Sequence, residues 1–207
     1  MGLAGLSLFA SLLAAPGTVL LADFKGTDPD ATHKWRANND PVMGGQSYST
    51  VKVEGGVLNF TGACKLVPAL QAPGFITAVN YDWHPWRDVS SCAGLQISSK
   101  SFNSYAGFRV SFGTAHASGG KRFAYGYKAH FVPPTKATGA VAIPFHNFSD
   151  FWDDATGKPI HTCTEDAKYC PDKKTLSNVK TMSIWAEGVE GDVHLEVSAI
   201  SGYGCSA

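Results

Sequence analysis

The hydrophobic positions of the chain fall into short runs, many of them alternating with polar residues and each bounded by glycine, proline, asparagine or aspartate. Beyond residue 17, no stretch holds a helical period for three turns. Val19 to Phe24 ends at Gly26 and the Asp28-Pro29-Asp30 turn. Ser47 to Val53 alternates and closes at Glu54-Gly55-Gly56, and Val57 to Thr61 reads as its hairpin partner. Further strands are predicted over 75–79, 94–98, 106–112, 123–132, 138–144, 181–187 and 192–200. Roughly ten strands imply two packed antiparallel sheets, because one sheet could not bury its Trp, Phe, Tyr, Val and Ile residues on both faces. The expected fold class is therefore all-β, a sandwich.

One stretch breaks this pattern. Trp35 to Ser47 gathers an aromatic ring, the amides Asn38 and Asn39, the carboxylate Asp40, Pro41 and the pair Gly44-Gly45. It reads as a constrained loop that tucks Val42 and Met43 beneath itself. Asp40 is expected to accept hydrogen bonds from the N–H groups of the Met43 to Gln46 turn, with Gly44 or Gly45 at positive φ. A structural latch is the preferred reading of this loop, and a ligand or partner site is the other. A second cluster, Tyr81 to Trp86, sets Trp83, His84 and Trp86 around Pro85. Proline argues against a central strand there, so these rings form either a lid over the core or an exposed platform for a sugar or a protein.

Composition narrows the partners. Charged residues make up 16% of the 207 residues, and 17 basic residues balance 17 acidic ones. No basic field exists to favour nucleic acid. Residues 2–15 are apolar, too short to span a bilayer, and end at Pro16-Gly17. They read as an export leader over 1–17, followed by a single β-sandwich domain over 18–207 with no transmembrane span in the mature chain. In that context five cysteines point to disulfides. Cys163 with Cys170 is the expected pair, a short ring stabilising by roughly 2.5 kcal/mol on the chain-entropy model. Cys64 with Cys92 is the second pairing considered, which leaves Cys205 over. No cysteine or histidine spacing matches a metal site, so neither metal nor cofactor is expected.

Catalytic templates are missing as well. There is no nucleophile elbow, Walker loop, H-E-x-x-H or dinucleotide fingerprint, and the seven histidines are scattered. Asp150, Asp153 and Asp154 lack the oxygen spacing of a calcium loop and read as a solvated turn. No catalytic residue is assigned and no enzymatic activity is expected. Asn147-Phe-Ser and Asn59-Phe-Thr are glycosylation acceptors, the second inside a predicted strand.

Trp35, Asn39-Asp40-Pro41-Val42-Met43-Gly44-Gly45-Gln46-Ser47, Phe60-Thr61-Gly62 and Gly74-Phe75 together resemble the signature of the complex I intermediate-associated protein family. Supporting likeness runs through 88–97, 142–148 and 176–200, so the resemblance covers about residues 19–203. It implies a galactose-binding-domain-like jelly-roll sandwich of two antiparallel sheets. It also implies a non-catalytic assembly factor or accessory subunit of a respiratory or photosynthetic complex, with a protein partner such as a membrane-complex subunit. A secreted carbohydrate-binding module, taking a glycan on Trp83 and Trp86, is the alternative. The leader and the Cys163 to Cys170 segment depart from the family pattern. They direct the expected localisation to the secretory pathway, the extracellular space or the thylakoid lumen rather than the mitochondrial matrix.

Overall fold

In the computed structural model, which describes residues 17–40, 44–114, 126–153 and 157–206, the alternating runs become strands of two stacked antiparallel sheets. The leader expected over 1–17, apart from Gly17, lies outside the described residues, as do Met43 of the signature and Asp154. Among the described residues the strands are β1 (Gly17–Asp23), β2 (Trp35–Asn39), β3 (Tyr48–Glu54), β4 (Val57–Cys64), β5 (Leu66–Val67), β6 (Ala72–Pro73) and β7 (Phe75–Asn80). They continue with β8 (Gly94–Ser101), β9 (Phe108–Gly113), β10 (Tyr127–His130), β11 (Gly139–Pro144), β12 (Thr181–Glu187) and β13 (Gly191–Cys205).

The six-stranded sheet runs β11-β8-β13-β4-β3 with β1 as its sixth strand, paired to β13 off this path, and the five-stranded sheet runs β10-β9-β12-β7-β2. The last strand, β13, organises the first of these. Its residues 191–197 pair with β4, its residues 199–205 pair with β1, and β8 lies along its other edge. Between the sheets, period two turns Phe108, Val110 and Phe112 of β9, Ile184 and Ala186 of β12 and Ile76 and Ala78 of β7 inward. There they pack in one cluster with Leu58, Phe60, Leu95, Ile97, Leu195, Val197 and Ile200 from the other sheet. This is a jelly-roll sandwich, and the strands read from the sequence fall on its strands with ends that differ by a few residues, the part of the 123–132 run before residue 126 lying outside the described residues.

Several expectations change. Trp35 to Asn39, read as the start of a loop, is strand β2, because its edge is satisfied by pairing with residues 76–80 of β7 and Trp35 packs against Phe24 and Trp86. The single-turn helix α1 (Lys173–Leu176) is too short for a periodic signal and rests on its cap, where the Asp172 carboxylate accepts from the Thr175 N–H at 2.7 Å.

The Cys64–Cys92 pairing is wrong. Cys92 bonds Cys205, Cys163 bonds Cys170, and Cys64 stays a buried thiol that donates to the Ala186 carbonyl at 3.0 Å. The register explains this, since Gly94 of β8 lies opposite Tyr203 of β13 and so brings Cys92 beside Cys205. Cys64 ends β4 on the buried side, where burial pushes its thiol up to about 11.

Replacing both Cys92 and Cys205 by serine should therefore open a link spanning 113 residues, anchoring the end of the central strand, and lower stability by about 2–5 kcal/mol in denaturant unfolding.

Candidate functional site

The signature residues meet around one carboxylate. Asp40 follows β2 directly, is 1% exposed, and its carboxylate reaches two separate segments. Its Oδ1 accepts from the Ser47 N–H at 2.9 Å, and its Oδ2 accepts from the Ser47 hydroxyl at 2.6 Å and the Phe75 N–H at 3.2 Å. Ser47 Oγ in turn accepts from the Lys65 N–H at 2.9 Å. A Cβ at Gly45 or Gly74 would overlap the Asp40 carboxylate, so both positions require glycine for close approach. Gly44 needs it for φ +79°. The Asn39 amide, in the orientation that satisfies both its ends, donates to the Ser49 hydroxyl and accepts from the Ser49 N–H.

Among the described residues the carboxylate serves Ser47 and Phe75, and Met43 of the turn expected from the sequence lies outside them. That turn is held by the Asp40 carbonyl, which accepts from the Gly45 N–H at 3.1 Å. The signature joins β2, β3, β7 and the end of β4.

The Trp83, His84 and Trp86 cluster is divided by burial. Trp83 is 80% exposed, whereas Trp86 is 7% exposed and lies flat on His33 with ring centroids 3.7 Å apart. Trp86 is therefore withdrawn from the surface assigned to it. Asp82 explains the division. Its carboxylate accepts from the Lys34 N–H, from His33 Nδ1 at 3.2 Å and from the His84 N–H at 3.0 Å, pinning the loop to the segment before β2. Burial alone would raise the Asp82 carboxyl, but these hydrogen bonds bring it below the ordinary carboxylate value. Burial lowers the His33 pKa, with Asp82 opposing and neighbouring His84 assisting. What stays at the surface is Trp83, together with half-exposed Tyr81 and exposed Arg36, whose guanidinium lies 5.6 Å from the Tyr81 ring centre.

A third feature covers the outward face of the five-stranded sheet. Alternation that turns Phe108, Val110 and Phe112 inward sends Arg109 and Ser111 outward, in register with Trp185 on one side and with His130 and Lys128 on the other. Lys128 Nζ is 2.7 Å from Glu187 Oε1 and lies 4.5 and 4.4 Å from the ring centres of Trp152 and Trp185. Arg109 donates to the Glu187 carbonyl at 2.9 Å and approaches its carboxylate at 3.6 Å. Gly157, at φ +65°, sits over that carboxylate where any side chain would overlap it. The result is a cleft of about 350 Å³ with Arg109 and Lys128 on its floor and Trp152, Asn147, Thr162 and Thr164 around it. Sequence reading missed this set, although a lone Arg, Lys or Glu at the polar phase of an otherwise apolar strand was the available sign.

Asn147 is exposed at the rim of the cleft, and Asn59 lies within β4 with its Oδ1 buried. Among the described residues no group of three or more His, Cys, Asp or Glu is placed to hold a metal ion, and no helix is long and apolar enough to cross a membrane.

A family model described as Complex I intermediate-associated protein 30 (CIA30) matches residues 22–197. A search of curated proteins finds no match. Among solved structures, the family 11 carbohydrate-binding module from Clostridium thermocellum, in complex with a beta-1,3-1,4-mixed-linked tetrasaccharide, is similar with a TM-score of 0.60. Identity is 16%, and the match covers 93% of this chain and 98% of that one. A solution structure of CtCBM11 matches with a TM-score of 0.51 at 15% identity, over 95% and 100% of the two chains. The agarase AgWH50C matches with a TM-score of 0.50 at 12% identity, over 92% of this chain and 25% of that one. At these identities the likeness shows the fold, a galactose-binding-like sandwich.

Two outcomes test the geometry. Asp40→Ala strips an acceptor from buried N–H groups and should cost about 1–3 kcal/mol in thermal unfolding; Gly74→Ala, which forces a methyl group into the carboxylate, should cost a similar amount. For His33, a folded pKa below the ordinary 6.5 means that the unfolded chain binds more protons beneath that value. Its contribution is full above about pH 6.5 and is lost as the pH falls. The variant His33→Phe keeps a ring on Trp86 but cannot titrate, so its melting temperature should fall less than that of the wild type between about pH 7.5 and 5.5.

Proposed function

The chain belongs to the complex I intermediate-associated protein 30 family, and from that premise we propose that it is a non-catalytic binding domain. It holds a protein partner as an assembly factor or accessory subunit of a larger respiratory or photosynthetic complex.

The observation that carries this reading is the exposed set of Trp83, Tyr81 and Arg36. Trp, Tyr and Arg are the residue types that most often dominate binding energy at protein interfaces. Asp82 fixes the loop on both sides of Trp83, so little ordering entropy opposes docking. The absence of catalysis is supported by how the buried carboxylates are used. Asp40, Asp82 and Glu187 are each engaged by hydrogen bonds or ion pairs within the fold. The sugar-binding alternative based on a paired Trp83–Trp86 platform loses its second ring, because Trp86 is covered by His33. Two disulfides and the apolar run at 2–15 favour an oxidising, exported compartment such as the thylakoid lumen or the extracellular space.

The test is co-migration on native gels with a membrane complex from the source organism. Wild type should run with one defined complex. Trp83→Ala combined with Arg36→Ala should lose that association by about tenfold or more while melting like the wild type, since both side chains are exposed. Wild type migrating only as monomer, or a variant that still associates, would contradict the proposal.

A further inference from the structure

The outer edge of the six-stranded sheet, strand β11, is used by neither the signature loop nor the Trp83 surface. We propose that it is a self-association site, at which β11 of one copy pairs antiparallel with β11 of a second.

The backbone supplies the first part of the argument. β11 pairs with β8 from Gly139 opposite Ser99 to Pro144 opposite Gly94, and the Phe145 N–H extends this ladder to the Ala93 carbonyl at 3.0 Å. In an antiparallel ladder only every second opposite pair exchanges hydrogen bonds. Phe145, Ile143, Val141 and Gly139 therefore turn their backbone groups toward β8, and Ala140 and Ala142 turn theirs away from it. The N–H and C=O groups of these two alanines meet no partner among the described residues, and both alanines are exposed.

Side-chain chemistry supplies the second part. An unpaired edge is a template for another strand, and folded proteins blunt it with charge, proline, a bulge or a covering segment. The other edges of the two large sheets are blunted in this way. β1 carries Asp23 and two register shifts, β2 carries Arg36, and β3 carries Lys52 and Glu54. β10 carries Lys128 and is bridged by Ser149. β11 reads Gly-Ala-Val-Ala-Ile-Pro, pairs with β8 without a bulge, and has its proline only at the last position. No Lys, Arg, Asp or Glu occurs between Lys136 and Asp150.

These features favour a second copy as the occupant. With a two-fold axis at Val141, Ala140 lies opposite Ala142 of the second copy, and the outward N–H and C=O groups of each strand meet those of the other. Val141, which is half-buried against the core, then faces Val141 of the second copy in a closely spaced pair that continues the apolar layer. Pairing a strand with itself brings like charges close together, which penalises every charged edge and leaves β11. Pro144 falls outside the two alanine pairs, so its missing N–H costs them nothing.

The experiment is sedimentation velocity with amide hydrogen exchange by NMR on the full chain, from about 1 μM to 1 mM, the range of weak association. Wild type should pass from monomer to dimer as concentration rises, and the Ala140 and Ala142 amides should gain about tenfold or more in protection along with it. Ala140→Lys with Ala142→Lys sets like charges directly opposite one another and should abolish the dimer over this range. Ala140→Lys with Ala142→Glu sets opposite charges there and should retain it. A melting curve on each variant confirms that it is folded. Trp83→Ala combined with Arg36→Ala should dimerise like the wild type, which separates this edge from the protein-partner surface. A wild type that stays monomeric throughout, a dimer that leaves the two amides unprotected, or a double-lysine variant that dimerises as well as wild type overturns the proposal. So does protection of these amides only in complex with another protein, which would assign the edge to a foreign strand.

Discussion

The Asp40 carboxylate is the interaction on which the rest of the architecture leans. A charged group at 1% exposure is stable only if its oxygens are filled, and here Ser47 and Phe75 fill them from two different sheets. Ser47 opens into β3 of the six-stranded sheet, and Phe75 begins β7 of the five-stranded one. One side chain therefore fixes how the sheets meet at that edge of the sandwich. The glycines of the signature follow from the same contact, since Gly45 and Gly74 are the places where backbone lies against the carboxylate. Such an arrangement tolerates almost no variation in residue type, and it explains a specific sequence signature without any ligand.

With the signature occupied inside the fold, recognition falls to surfaces that it merely positions. Asp82 repeats the device on a smaller scale. It draws His33, Lys34 and His84 together, buries Trp86 and leaves Trp83 in solvent. Glu187 does the same on the outward face of the five-stranded sheet, gathering Lys128 and Arg109 beneath Trp152 and Trp185. In all three places a buried or partly buried carboxylate is surrounded by N–H donors or cations. The sandwich is stitched by carboxylates, and its exposed aromatics are placed by them.

Much of this was legible in the chain. Alternation located most of the strands because each has one face on a shared core and one outside it, as Phe108, Val110 and Phe112 against Arg109 and Ser111 demonstrate. The glycines of the 38–45 stretch did mark special backbone, Gly44 at φ +79° and Gly45 against the Asp40 carboxylate, whereas Asn38 and Asn39 belong to β2. The partners of that carboxylate were not legible, because Phe75 is 35 residues away and local spacing carries no information on contacts across the sandwich. The same limit misplaced Cys92, whose neighbour is set by the register of β8 on β13 over a separation of 113 residues. Trp83 and Trp86 look equivalent in the sequence. Their opposite burial depends on His33, which arrives from before β2.

Amide hydrogen exchange at Ser47 and Phe75 tests the central claim most directly. If the Asp40 carboxylate ties the two sheets together, both amides should exchange only through global unfolding, at the same free energy as core amides of β12 such as Ile184. If the signature were instead an adaptable recognition loop, these two amides would exchange rapidly by local opening while β12 stayed protected, and the account given for the fold would be wrong.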